Sequence, residues 1–151
     1  MSAFDDISAA LTPPMVIVTT RFGDEVDGCL VGFTTQCSID PQRYLVCLSV
    51  TNRTYELAQH ASTLVVHMLH DTPSDHALAS LFGEHTARDT DKLARCDWTP
   101  GPDGVPVLEG FVALCCHRYT FHPIHLDSTE TRGLRLAPPV SSQTRTSERD
   151  A

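Results

Sequence analysis

No apolar run in this 151-residue chain approaches the roughly 20 residues a membrane-spanning helix needs, so no membrane partner is expected. The start, Met1-Ser2-Ala3-Phe4-Asp5-Asp6, has neither the basic nor the apolar part of a signal peptide, which makes the cytoplasm the expected location. Basic side chains are scarce: 11 Lys and Arg stand against 19 Asp and Glu, for a net charge of −8. That balance argues against nucleic acid as a partner. The four arginines after residue 131 face only Glu148 and Asp150, so residues 1–131 carry a net −10. There is no CxxC among the six cysteines (Cys29, Cys37, Cys47, Cys96, Cys115 and Cys116). Several lie in apolar, strand-like runs, where a reduced thiol behaves as a small hydrophobe. Neither GxSxG nor HExxH occurs, so no catalytic side chain is named.

What is present suits one domain with a single core. Phe4 to Leu11 reads as a short helix stopped by Pro13-Pro14, with Ser2 as its cap. Met15 to Thr20 is rich in β-branched residues and reads as a strand, followed by a polar turn over 21–28. Gly28 to Phe33 alternates as a strand and then becomes small and polar until Asp40-Pro41. Tyr44 to Val50 is apolar on both faces and reads as a central strand. Thr51-Asn52 caps a helix through Ala61; Thr63 to Leu69 is a strand; Thr72-Pro73 opens a second helix. A short helix is expected near Thr90 to Ala94. Trp98 plugs the core edge, Gly101-Pro102-Asp103-Gly104 is a turn, and Pro106 to Leu108 and Gly110 to His117 are extended. Tyr119 to Leu126 is compatible with a strand despite Pro123. Residues 132–151 read as a disordered tail. Strands in meander order with two or three helices point to a mainly β (α+β) fold, an antiparallel small barrel or sandwich.

Two places carry possible ligand chemistry. The strand end Val31 to Ser38 combines a glycine, which admits close backbone approach, with hydroxyls and an amide. An ordinary strand running into a loop has the same composition. Asn52-Arg53-Thr54 opens a helix, where unpaired N–H groups and a guanidinium suit a phosphate. Plain capping explains these residues equally well. His67 alternates with Val66 and Met68 and reads as a half-buried strand histidine or a contact at a ligand mouth. Cys115-Cys116-His117 and His122-Pro123-Ile124-His125 hold soft ligands close in sequence. Adjacent strand residues point to opposite faces, however, and the spacing fits no common zinc pattern, so no metal site is assigned.

Taken in order, these pieces resemble the flavin reductase-like family of FMN-binding split β-barrels. The matching residues are Val16 to Thr20, Gly28 through Pro41, Leu45 to Leu48 with Asn52-Arg53-Thr54, and Leu64 to Leu69. Leu78-Ala79, Leu81-Phe82, Asp91-Lys92-Leu93, Trp98 and Gly104 to Gly110 also match. The resemblance spans roughly residues 10–118 and implies a split β-barrel over residues 1–131. It implies flavin contacts from Val31, Gly32, Phe33, Thr34, Gln36, Cys37 and Ser38, and phosphate contacts from Asn52, Arg53 and Thr54. The implied cofactor is FMN, with FAD or a deazaflavin as alternatives, and NAD(P)H is the implied hydride donor. A homodimer and a monooxygenase partner follow from the same likeness. Leu30 and Gly32-Phe33 replace hydroxyl residues common in the family, and the expected motif after Arg118 is missing. A flavin-binding barrel without turnover is therefore the alternative function.

Overall fold

The computed structural model describes residues 3–11, 13–85, 90–117 and 143–144. A short helix α1 (Ala3–Ala10) precedes strand β1 (Val16–Phe22), which turns back into β2 (Glu25–Val31). The hairpin needs only Gly23 and Asp24, because Phe22 lies opposite Glu25 and Gly23 takes φ 60°. The expected turn over 21–28 is thus shorter, and both strands run further into it.

The main sheet has the order β2-β1-β5-β8-β9, with β5 at Thr63–Met68, β8 at Val112–His117 and β9 at Gln143–Thr144. All of its pairings are antiparallel. Two small sheets complete the fold: β3 (Thr34–Ser38) with β4 (Arg43–Val46), and β6 (Trp98–Pro100) with β7 (Pro106–Leu108). The architecture is mainly antiparallel β with few helices, as expected, and among the described residues the three sheets do not close on one another.

Both faces of the main sheet are covered, which explains why β1 is buried without alternation from Val16 to Thr20. On one face Val16 and Val18 pack with Cys29, Val31, Ala58, Leu64 and Val66, joined by Tyr44 and Val46. On the other, Ile17 packs with Phe82, Leu93 and Leu108. A smaller cluster joins Val65, Val105, Ala113 and Cys115. Two threonines enter this core because their hydroxyls find carbonyls: Thr19 Oγ1 donates to Pro106 O and Thr20 Oγ1 to Thr63 O. Adjacent Cys115 and Cys116 contribute to clusters on opposite faces, as strand geometry requires.

Several expectations are corrected. The strand over Tyr44 to Val50 is not central. It shortens to β4, pairs only with β3 among the described residues, and is half-buried, its apolar content serving to pack Tyr44 and Val46 onto the first cluster. The strand beginning near Gly28 is two strands, broken at Gly32-Phe33. Helix α2 (Arg53–Ala58) ends three residues early, and Asn52 makes no side-chain cap bond. The short helix near Thr90 is a single 3-10 turn at Leu93–Arg95. His67 is fully buried: its Nδ1 sits 3.0 Å from Ile17 O, and its Nε2 accepts from Leu108 N–H at 3.0 Å.

Helix α3 (Pro73–Glu84) starts as expected, with Thr72 Oγ1 accepting from Asp75 N–H. Trp98 joins the second cluster and donates Nε1–H to Leu93 O at 3.1 Å. Of the expected tail, Gln143 and Thr144 pair with Cys115 and Leu114. The rest of it, Ser2, and the expected strand over Tyr119 to Leu126 lie outside the described residues.

Candidate functional site

The break between β2 and β3 decides which of the expected contact residues reach solvent. Val31 ends β2 pointing inward and is part of the core. After it, Phe33 is 77% exposed and its C=O accepts from Cys47 N–H at 3.0 Å. Thr34 is buried again, and its hydroxyl donates to Leu45 O at 2.9 Å. Gln36 and Cys37 face outward; Gln36 Nε2 donates to Ser38 O at 3.2 Å. The β3–β4 register shifts between Gln36 and Ser38, so Cys37 has no residue paired opposite it. Gly32 packs against a flexible side chain. A Cβ there would meet only the thioether of Met15, at 3.1 Å from its sulfur.

At the other expected contact, the three residues have separate fates. Thr54 is fully buried and donates to Asp27 Oδ2 at 2.7 Å. Arg53 is half-buried between two carboxylates, with Nη2 2.5 Å from Glu25 Oε2 and Nη1 2.6 Å from Glu56 Oε2. Those hydrogen bonds, Glu56 foremost, raise the Arg53 pKa further. Asn52 is half-buried and lines, with Arg53 and Thr54, a cavity of about 90 Å³ also walled by Cys29, Leu30 and Phe82. A larger cleft of about 440 Å³ adjoins it, sharing Asp27, Arg53 and Lys92. Neither cavity is lined by Phe33 to Ser38.

Between these cavities lies a buried network that sequence reasoning did not single out. Lys92 and Asp27 have side chains only 4% exposed, with Nζ and Oδ1 3.2 Å apart. Lys92 Nζ also donates to Gly28 O and stands 5.7 Å from the centre of the Phe82 ring. Gly28 must be glycine here, since a Cβ would lie 2.9 Å from both Phe82 Cε1 and Val18 O. The network ties β2, α2, α3 and the Leu93–Arg95 turn together at one point. Such a pair adds little net stability, but removing one partner leaves a buried charge uncompensated. Burial pushes the Cys29 thiol up, against the opposing effect of a hydrogen bond with Thr54, so it is not poised as a thiolate. Cys116 is pushed up to about 11, again chiefly by burial. The Asp91-Lys92 pair stands among the residues that carry the family resemblance. Asp27 was legible only as a turn residue.

Among the described residues, no group of three or more His, Cys, Asp and Glu side chains is placed to hold a metal ion. No helix among them is long and apolar enough to cross a membrane.

Comparison with known proteins bears on the family and the fold. The family described as "Flavin reductase like domain" matches residues 8–119. A Rhizobium meliloti protein named "Probable flavin reductase" is 30% identical over 115 residues, 74% of this chain and 34% of its own length. The Rhodococcus jostii "Flavin-dependent monooxygenase, reductase subunit HsaB" is 33% identical over 91 residues, 58% of this chain and 44% of its own length. The chain thus spans between a third and a half of the length of these two curated relatives. Among solved structures, an FMN-binding protein from Thermus thermophilus superposes with a TM-score of 0.66 and 25% identity, covering 74% of this chain and 62% of its own. The Streptomyces globisporus NADH:FAD oxidoreductase SgcE6 shares the fold, with a TM-score of 0.66 and 21% identity over 82% of this chain and 75% of its own. With the family match covering most of the chain, from the residues before β1 to those just after β8, this protein belongs to the flavin reductase-like domain family.

Proposed function

We propose that this chain binds a flavin, FMN in the first instance, and carries hydride from NAD(P)H to it. The observation that carries the reading is the open side of β3. Among the described residues Thr34–Ser38 pair only with β4, so their other edge offers backbone N–H and C=O groups next to the exposed ring of Phe33. A flavin ring has an apolar face and a polar edge of carbonyls and N–H, which that combination matches. The residues present fit the group in other respects. Gly32 admits close approach, Gln36 and Cys37 face outward, and Arg53 supplies a half-exposed cation for a phosphate. With the Thr34 and Thr54 hydroxyls committed internally, the holding contacts come from backbone groups, the Gln36 amide and the Phe33 face.

A bound flavin supplies the chemistry of hydride acceptance at its N5. The protein's share is positioning, because hydride transfer between stacked rings needs alignment more than an acid or base. FAD or a deazaflavin would use the same contacts to the ring. Exposed Phe33, Ile39 and Val50 support a homodimer that covers them, and the relative that is a monooxygenase reductase subunit supports delivery of reduced flavin to such a partner. The expected setting is the cytoplasm.

The test is the visible spectrum of the purified protein with added FMN, followed by NADH and NADPH in turn. A perturbed flavin spectrum and nicotinamide oxidation are expected. Flavin bound without oxidation would favour a non-catalytic flavin-binding protein. No spectral change and no oxidation would overturn the reading.

A further inference from the structure

We propose that Glu25 and Glu56 are built-in competitors for Arg53, and that they set how strongly this chain prefers a phosphate-bearing flavin over one without the phosphate; the proposal rests on the flavin reading above. A guanidinium presents its N–H groups as a planar fork that carboxylates and phosphates occupy in the same manner. In this chain both arms of the fork are engaged by carboxylates, Nη2 by Glu25 and Nη1 by Glu56, at 2.5 and 2.6 Å. A phosphate that takes the two Nη groups as a bidentate fork must displace one of them.

The two competitors are unequal. Glu25 opens β2, far from Arg53 in sequence, and its side chain is 63% exposed. Glu56 lies one turn along the same helix as Arg53 and is 40% exposed. Glu25 is therefore the one that can swing into water at least cost, since exposed ion pairs are weak. The surroundings do not help a phosphate. Among the described residues, the 440 Å³ cleft beside Arg53 is lined by Asp24, Glu25, Asp27, Glu56 and Asp91, against Arg53 and Lys92 as cations. Lys92 is already committed to Asp27 and to the Gly28 carbonyl. An incoming dianion meets a net negative field that removal of a carboxylate weakens, and this penalty falls on the phosphate and not on the ring.

FMN and riboflavin carry the same ring and differ by the phosphate, so the ratio of their dissociation constants isolates the effect. Titration by flavin fluorescence should show that Glu25→Gln raises FMN affinity roughly two- to fivefold, the range a single exposed ion pair supports. Riboflavin affinity should stay unchanged. Glu25→Gln/Glu56→Gln should raise the FMN preference further, and Arg53→Gln should reduce it to parity or below. An FMN-to-riboflavin ratio unmoved by Glu25→Gln, or unmoved by Arg53→Gln, overturns the proposal while leaving ring binding intact. Failure of the wild-type protein to bind either flavin overturns the flavin reading and this proposal with it.

Discussion

Acidification should destabilise this fold through one side chain, His67, by an amount the structure allows to be worked out. The imidazole is fully buried between β1 and the β7 end, with Nδ1–H donating to Ile17 O and Nε2 accepting from Leu108 N–H. That pair of bonds requires the neutral ring. A proton on Nε2 would face a donor and lose its only acceptor role, in a site that burial makes hostile to charge. Desolvation accordingly lowers the pKa from 6.5 to about 4, the bond to the Ile17 carbonyl opposing only in part. In the unfolded chain the ring protonates near its ordinary value. Above pH 6.5 both states are neutral and His67 contributes no pH dependence. As the pH falls from 6.5 to about 4 the unfolded state takes up a proton that the folded state refuses, and stability declines across that window. At about 1.4 kcal/mol per unit, the whole interval is worth about 3 kcal/mol. Urea unfolding at several pH values between 7 and 4 measures it. His67→Gln offers an amide N–H and C=O in place of the two ring nitrogens and does not titrate. Its cost at pH 7 should be about 1–2 kcal/mol, and it should flatten the acid slope. Equal slopes for the two proteins would refute the argument.

Three further outcomes follow from other parts of the molecule. Lys92→Met leaves Asp27 charged and buried, and should cost about 3–5 kcal/mol in chemical denaturation. Adding Asp27→Asn, which keeps an acceptor for Thr54, should recover most of that loss; a purely additive double variant would show that the two groups do not interact. Gly28→Ala should cost about 1–3 kcal/mol, read as a lowered Tm, because its methyl would press on Phe82 and the Val18 carbonyl at 2.9 Å. Gly32→Leu, by contrast, meets only the flexible Met15 side chain, so the Tm should hold while flavin affinity falls. Unchanged affinity in that variant would place the ring elsewhere.

The degree to which the sequence was legible varies with the range of the forces involved. The stop at Pro13-Pro14, the Gly101–Gly104 turn, the Thr72-Pro73 helix start and the apolar strands β1, β5 and β8 were all readable, because each follows from propensity or periodicity over a few neighbours. The ordered resemblance added the family. Misreadings fell where a local pattern had two tertiary explanations. Tyr44 to Val50 is apolar enough for a central strand, yet the same residues serve a half-buried strand packing onto one cluster. His67 in an alternating strand fits a half-exposed position, until a Leu108 N–H reaches it from 41 residues away.

The candidate site divides in the same manner. The sequence by itself determined that a glycine-bearing strand end and an Asn-Arg-Thr helix start exist, and that their residue types offer hydroxyls, amides and a guanidinium. Only the tertiary structure decided which of those groups remain available. Val31 is absorbed into the core, the hydroxyls of Thr34 and Thr54 are spent on Leu45 and Asp27, and Arg53 is held by Glu25, 28 residues earlier, as well as by Glu56. The physical reason is that residue types state what a group can bond, whereas the partner it does bond is set by which distant strands and helices the core brings together. Asp27 and Lys92 lie apart in the chain and become one buried pair where Phe82 packs over Gly28 and beside the Lys92 ammonium.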